Sequence, residues 1–285
     1  MEVSEERVIK LSTVLRELSL SDVLAFEERD PQFIVVKELC TALNNPGLVA
    51  VLVAMNSIVS YMLTGRGERH WSYFSEYFSH NKPSDLCRDF KAYVVKSPYL
   101  ARGREVKVDR IDRFCRAKLH ERLMGLTNLN EAWSLLAGGL HSPINSKTIV
   151  FAVKMLYYAY RACGINVKPP EDLPIPVDYR IATLTKCSGL INAEAKVLAA
   201  KQNLVQETWG RVAELSGIPQ VNLDALLWVI GGALIYSNFN VNSALRKLME
   251  DSLIPPGKAT VFKELVTELS RECSRGAETF KYNNS

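Results

Sequence analysis

The sequence predicts an all-α protein. Apolar residues recur at helical spacing along nearly the whole chain, beginning with Val8, Leu11, Leu15 and Leu18. No segment sustains the strict apolar–polar alternation of a half-buried strand. Proline, glycine and asparagine clusters such as "RDPQ" at 29–32, "NNPG" at 44–47, "NKPSD" at 81–85, "SGIPQ" at 216–220 and "IPPGK" at 254–258 punctuate the pattern into about a dozen helices, with no fixed repeat.

Length and composition bound the class. At 285 residues, 47% hydrophobic and 23% charged, the chain can bury a full core as one large domain or two smaller ones. The first residues, "MEVSEERVIK", are acidic and amphipathic, unlike a secretory or transit signal, so an intracellular protein is expected. The longest apolar run, 48–63, is shorter than the about 20 residues needed to span a bilayer. It also contains Asn56, Ser57 and Ser60, and so predicts a buried core helix and no membrane partner.

Six cysteines, at positions 40, 87, 115, 163, 187 and 273, are scattered without a C-x-x-C or an adjacent histidine cluster. They are expected to be buried small hydrophobes, neither a disulfide frame nor ligands of a metal or iron–sulfur cluster. No cofactor is implied. Charge is uneven: residues 88–122 hold eleven Lys and Arg against five Asp and Glu, while the whole chain is only +4. Such a block suits either a phosphate-contacting surface or an ordinary solvated helical face.

Further along, "AGGLHSPIN" at 137–145 forms a turn, after which Ser146 is the expected N-cap of a helix over 148–163, ended by Gly164. Lys147 then falls at the start of that helix, where unpaired N–H groups and the dipole favour negative charge. Phe151, four residues on, shares its face. An amine so placed suits nucleophilic attack on a carbon of carbonyl character, giving a Schiff base. A lysine extending off a helix end into water would need no such role.

The proline-rich "VKPPEDLPIPVD" at 167–178 cannot be helical and delivers Asp178 as the N-cap of the next helix. An N-cap aspartate is often only a cap, but an amine and a carboxylate opening two helices form a possible catalytic pair. On the helix expected over 223–236, Asp224 and Trp228 are four apart, setting an acceptor and a large π-face on one side. Gly231 and Gly232 weaken that helix and suggest close packing or backbone approach by a partner. The final residues, 275–285, lack periodicity and are expected to be a flexible tail.

These segments carry a resemblance. "SKTIVFAVKMLYYAY" followed by "LPIPVDYRIATLTKCSGLI" resembles the helix-hairpin-helix DNA glycosylase/lyases and, among them, the archaeal 8-oxoguanine DNA glycosylases. "ERDPQF", "SIVSYMLTGRGERHWSYFSEYFS", "DLCRDFKAYVVKSPYL" and "GIPQVNLDALLWVIGGALIY" extend it over roughly residues 5–240. One departure is the hairpin "GGLHSPINS", which is longer than the superfamily's short glycine-rich turn and has no G-x-G.

The resemblance implies a single glycosylase unit over 1–285, made of two helical subdomains flanking a cleft, with the hairpin and catalytic helix at 128–164. It implies a bifunctional DNA glycosylase and AP lyase removing 8-oxoguanine in base excision repair, a monomer acting on oxidised DNA in the archaeal cytoplasm. Lys147 would be the Schiff-base nucleophile and Asp178 its assisting carboxylate. Gln32, Phe151, Asp224, Trp228 and Trp71 would form the base pocket, and Gly138 and Gly139 would bind DNA phosphate. Two other readings fit part of the pattern: a non-catalytic helical DNA-binding protein, and a Schiff-base enzyme acting on a small carbonyl compound.

Overall fold

The computed structural model describes residues 1–274, and the expected tail at 275–285 lies outside them. Seventeen α-helices and one short 3-10 turn make up the described architecture, with a lone antiparallel bridge between Val3 and Ile191 in place of any sheet. The all-α expectation holds. In chain order the helices are α1 (Glu5–Leu15), α2 (Leu20–Glu27), α3 (Pro31–Leu43), α4 (Pro46–Val59), α5 (Gly67–His80), α6 (Leu86–Lys96), α7 (Arg104–Arg116), α8 (Leu119–Arg122), α9 (Leu129–Gly139), α10 (Lys147–Ala162), α11 (Tyr179–Cys187), α12 (Ala195–Ala200), α13 (Gln202–Ser216), α14 (Gln220–Tyr236), α15 (Val241–Glu250), α16 (Ala259–Leu269) and α17 (Arg271–Ser274). The extra helices beyond the sequence expectation are mostly short, such as α8, α12 and α17. No single described helix is long and apolar enough to cross a membrane.

The helices fall into two compact units. One, Pro31–Leu173, holds α3 to α10; the other joins Met1–Asp30 to the chain from Pro174 onward. Within the Pro31–Leu173 unit, α4 is buried on every side from Leu48 to Val59, as an all-apolar helix must be. It stops sooner than its apolar run, at Val59, because Ser60 leaves helical geometry and Met62 takes a left-handed conformation. Against α4 and α3 packs α10, buried from Ile149 to Tyr160 except at Phe151.

Within the other unit, α14 is likewise buried from Val221 to Leu234 except at Trp228. Its start is tied to α2 by Asn222, whose Nδ2 donates to Glu27 Oε1 at 2.8 Å in the interior. The non-helical stretch that ends at Asp178 is held in part by Gln206 on α13, which donates to the Ile175 carbonyl at 3.0 Å.

All six cysteines are paired, which overturns the expectation of buried free thiols: Cys40–Cys163, Cys87–Cys115 and Cys187–Cys273. Their partners stand 123, 28 and 86 residues apart in sequence, so spacing carries no signal. Helix packing alone brings the Cα atoms to 5.6, 6.1 and 5.1 Å, within bridging range. Replacing Cys40 and Cys163 together by serine should lower stability by about 2–4 kcal/mol, because the link closes a long loop in the unfolded chain. Thermal unfolding of that variant beside the oxidised parent measures the loss.

Buried in the Pro31–Leu173 unit, His70 lies at the 2.9 Å hydrogen-bond distance from Ser60 through Nε2. Ser60 already donates its proton to the Asn56 carbonyl at 2.7 Å, so His70 must donate, as the neutral Nε2–H tautomer. Burial, with Lys107 adding repulsion, pulls its pKa down to about 3. The unfolded chain therefore takes up a proton below pH 6.5 that the folded chain refuses. Stability from this residue is complete above pH 6.5 and declines as pH falls toward 3, by up to about 1.4 kcal/mol per unit. Urea titrations across that window should show the slope in the parent and its loss in His70→Gln.

Candidate active site

Lys147 is the first residue of α10, one position earlier than the sequence suggests, with Ser146 as N-cap in extended geometry. Ser146 makes no side-chain cap, and its Oγ is buried without a hydrogen-bond partner among the described residues. Ser146 therefore supplies no capping acceptor to the positive end of this helix. A second cation stands there as well: Arg110 on α7 donates through Nη2 to Thr148 Oγ1 at 2.7 Å. Burial lowers the Arg110 pKa, with neighbouring Arg113 adding to it. What holds the helix is its far side, where Ile149, Val150, Ala152 and Val153 enter the core.

Phe151 follows Lys147 by one turn and is the only residue between Ile149 and Tyr160 that is not buried. Its ring meets the edge of Trp71, 6.1 Å between centroids at 78°. Trp71 itself is 1% exposed and also packs on Phe74, so it backs Phe151 from behind. Gln32 lies buried in the first turn of α3, a helix that packs on both α5 and α10. Sequence reasoning gave no weight to Lys154, a second lysine of α10, which is buried with Nζ 5.2 Å from the Tyr158 ring centre.

The hairpin before α10 is set by local hydrogen bonds. At the end of α9, His141 takes the left-handed conformation (φ 48°) usually left to glycine. His141 N donates to Gly138 O at 3.2 Å and Ser142 N to Ala137 O at 3.0 Å, which closes the helix as a Schellman motif. Trp133 on α9 then clips the loop by donating to the Ile144 carbonyl at 2.7 Å. Gly138 and Gly139 fall within the last turn of α9, so their N–H groups serve the helix. Gly138 has an open flank, while a Cβ on Gly139 would meet Leu119 of α8 at 2.9 Å.

Much of the basic block is occupied internally. Lys107 is buried, donates to the Arg102 carbonyl at 2.7 Å and lies 5.2 Å from the Tyr61 ring centre. Burial and nearby Arg104 lower its pKa to about 8. Lys91 pairs with Asp112 at 2.8 Å, and Arg113 with Asp109 at 3.1 Å.

In the other unit Asp178 is the N-cap of α11, its Oδ1 accepting from Ile181 N at 2.9 Å. The helix it opens packs tightly on α14. Arg180 lays its guanidinium 4.2 Å from the Trp228 ring centre and donates through Nη1 to the Trp228 carbonyl at 2.7 Å. A Cβ on Gly231 would lie 2.8 Å from Leu184, and one on Gly232 3.0 Å from Arg180. The two glycines thus let α11 approach, which fixes Asp178 relative to Asp224 and Trp228. Asp224 is 2% exposed, one turn before Trp228, the one residue between Val221 and Leu234 that is not buried. Arg180 had no signal in the sequence beyond its place two residues after Asp178.

A family model described as "AGOG: N-glycosylase/DNA lyase" matches residues 12–264. This chain belongs to that family. It is 38% identical to the N-glycosylase/DNA lyase of Pyrobaculum aerophilum over 236 residues, covering 82% of this chain and 89% of the relative. Identity to the N-glycosylase/DNA lyase of Thermococcus kodakarensis is 36% over 246 residues, 81% of this chain and 87% of the relative. Among solved structures, that of the P. aerophilum 8-oxoguanine DNA glycosylase complexed with 8-oxoguanosine superposes with a TM-score of 0.79 at 33% identity, covering 94% of this chain and 97% of that one. The AGOG fold and the N-glycosylase/DNA lyase class that the resemblance implied are those of this chain.

Gly231→Ala tests the seam that positions Asp178. A methyl group forced against Leu184 at 2.8 Å overpacks two buried helices and should cost about 1–3 kcal/mol. Leu184→Ala in the same chain should return part of that loss, read by denaturant unfolding of the single and double variants.

Proposed function

We propose that this chain excises 8-oxoguanine from DNA and then cleaves the strand, with Lys147 as nucleophile and Asp178 as the assisting carboxylate. The observation that carries the reading is the paired exception on two buried helices. On α10 and α14 the residues that break the burial are the aromatics Phe151 and Trp228, and each lies one turn beyond a polar residue, Lys147 or Asp224. A large ring is left at a surface against the hydrophobic effect when it has a ligand to stack on.

The chemistry follows from these groups. A base inside a duplex is out of reach, so the nucleotide is extruded, and the aromatic faces open to stack on its base are Phe151, backed by Trp71, and Trp228. Oxidised guanine carries N7–H where guanine has a lone pair, and a carboxylate accepts but cannot donate, so Asp224 selects the lesion. Gln32 supplies both a donor and an acceptor for the remaining base edge. The relative crystallised with 8-oxoguanosine supports this substrate.

As the C1′–N bond breaks, positive charge develops on the sugar, and the Asp178 oxygen not used for capping stabilises it. The Lys147 amine bonds to C1′ in place of the departing base, which takes up the amine's proton. The sugar ring opens to an imine as O4′ is protonated, and loss of the 2′ proton to the freed base or water expels the 3′ phosphate. The chain acts as a monomer inside the cell, with DNA as its partner. At the hairpin a phosphate approaches the open flank of Gly138 beside Gly139, and affinity falls as salt rises.

Lys147→Gln should abolish both base release and borohydride trapping on 8-oxoguanine duplexes while DNA affinity stays within a few-fold of the parent. Asp178→Asn keeps a good N-cap and should slow excision by about 10²–10³-fold without loss of stability. A parent enzyme that leaves no trapped adduct, or a Lys147→Gln variant that still does, refutes the assignment.

A further inference from the structure

A group of side chains outside this machinery also has a chemistry. Cys87 on α6, Cys115 on α7 and His120 on α8 come from three helices, and their ligand atoms lie within 4.8 Å of one another. They form the one cluster among the described residues with the composition of a thiolate–imidazole metal site. All three are half-buried, so an ion can reach them from solvent.

His120 supplies the second observation. Its Nδ1 is buried with no hydrogen-bond partner among the described residues, while Nε2 stands 3.7 Å from the Glu121 carboxylate. A lone nitrogen facing inward, with a carboxylate near the outer one, is the arrangement of a ligating histidine and its outer partner. An unpaired buried nitrogen is otherwise a net loss to the fold.

We propose that Cys87, Cys115 and His120 form a redox-gated site for a thiophilic d10 cation, of which zinc is the type. In the structure the two sulfurs are joined as a disulfide, which is the closed state. Opening it takes two electrons and two protons from a dithiol, which itself becomes a disulfide. Binding one divalent ion then releases the two thiol protons, leaving two thiolates and a neutral imidazole as ligands and a fourth position for water. Metal–sulfur bonds of about 2.3 Å and metal–nitrogen bonds of about 2.0 Å in a tetrahedron set the ligand atoms roughly 3.6 Å apart, so the three need only small side-chain movements. The two thiolate charges in turn admit a cation to a basic stretch of surface.

Among the described residues, the other two cysteine pairs have no histidine in such a group. The site also has a place in the fold where its state matters. It joins α6, α7 and α8, and Leu119, the residue before His120, lies against Gly139 at the base of the hairpin.

Cobalt reports the site directly, because thiolate-to-cobalt charge transfer absorbs in the near ultraviolet. The full chain, reduced with a phosphine, should take up one Co2+ with that band, lose the band to Zn2+, and show neither in the air-oxidised form. His120→Asn should weaken uptake by more than about 100-fold, the upper range for losing even an outer partner, and Cys87→Ser with Cys115→Ser should remove the band. With zinc present during reoxidation, peptide mapping should find Cys87 and Cys115 unpaired while Cys40–Cys163 and Cys187–Cys273 re-form. The proposal is overturned if the reduced chain gives no band, if it must lose its helical circular dichroism to give one, if His120→Asn binds like the parent, or if the double serine variant keeps the band.

Discussion

A cation at the positive end of a helix is the constraint on which this protein turns. Lys147 opens α10, Ser146 leaves the first turn without a side-chain cap, and Arg110 adds a second positive charge through Thr148. Helix electrostatics alone would reject this arrangement. It persists because the rest of α10 is buried against α3 and α4 and tied at its far end by Cys40–Cys163. Tertiary packing stabilises a long buried helix far more than one unfavourable first turn destabilises it. The amine is thereby presented on a rigid support, which is what the nucleophile role proposed for Lys147 requires.

The second unit solves a matching problem for a carboxylate. Asp178 stabilises its own helix by capping Ile181 N, so the catalytic role proposed for it would cost the local structure nothing. The support comes from α14, where two glycines remove the side chains that would hold α11 away, and Arg180 fills the space over Trp228. The glycines weaken α14 as a helix, by about 1 kcal/mol each relative to alanine, and the close approach they permit returns that loss as packing.

Paired cysteines set the remaining frame. Two of the three disulfides, Cys40–Cys163 and Cys87–Cys115, lie within the unit that carries Lys147, and the third joins α11 to α17. Disulfides in intracellular proteins are uncommon outside hyperthermophiles. The expectation of inert cysteines rested on their scattered spacing, which carries no information about which helices meet.

How much was legible follows from the range of the forces involved. Helices, their caps and their ends are local, and the sequence by itself determined them: Asp178 as N-cap, Gly164 as the left-handed stop of α10, the non-helical proline stretch, and α4 as a helix apolar on all sides. Its i, i+4 spacing also placed Phe151 over Lys147 and Trp228 over Asp224. Only the tertiary structure decided which side of each helix stays open, that Trp71 stands behind Phe151, that Arg110 reaches Thr148, and which cysteines meet. Those outcomes join residues from 28 to 123 positions apart, and what unites them is the shape of packed cores. A helical period fixes where a side chain sits on its own helix; its neighbour is chosen by the burial of every other helix at once.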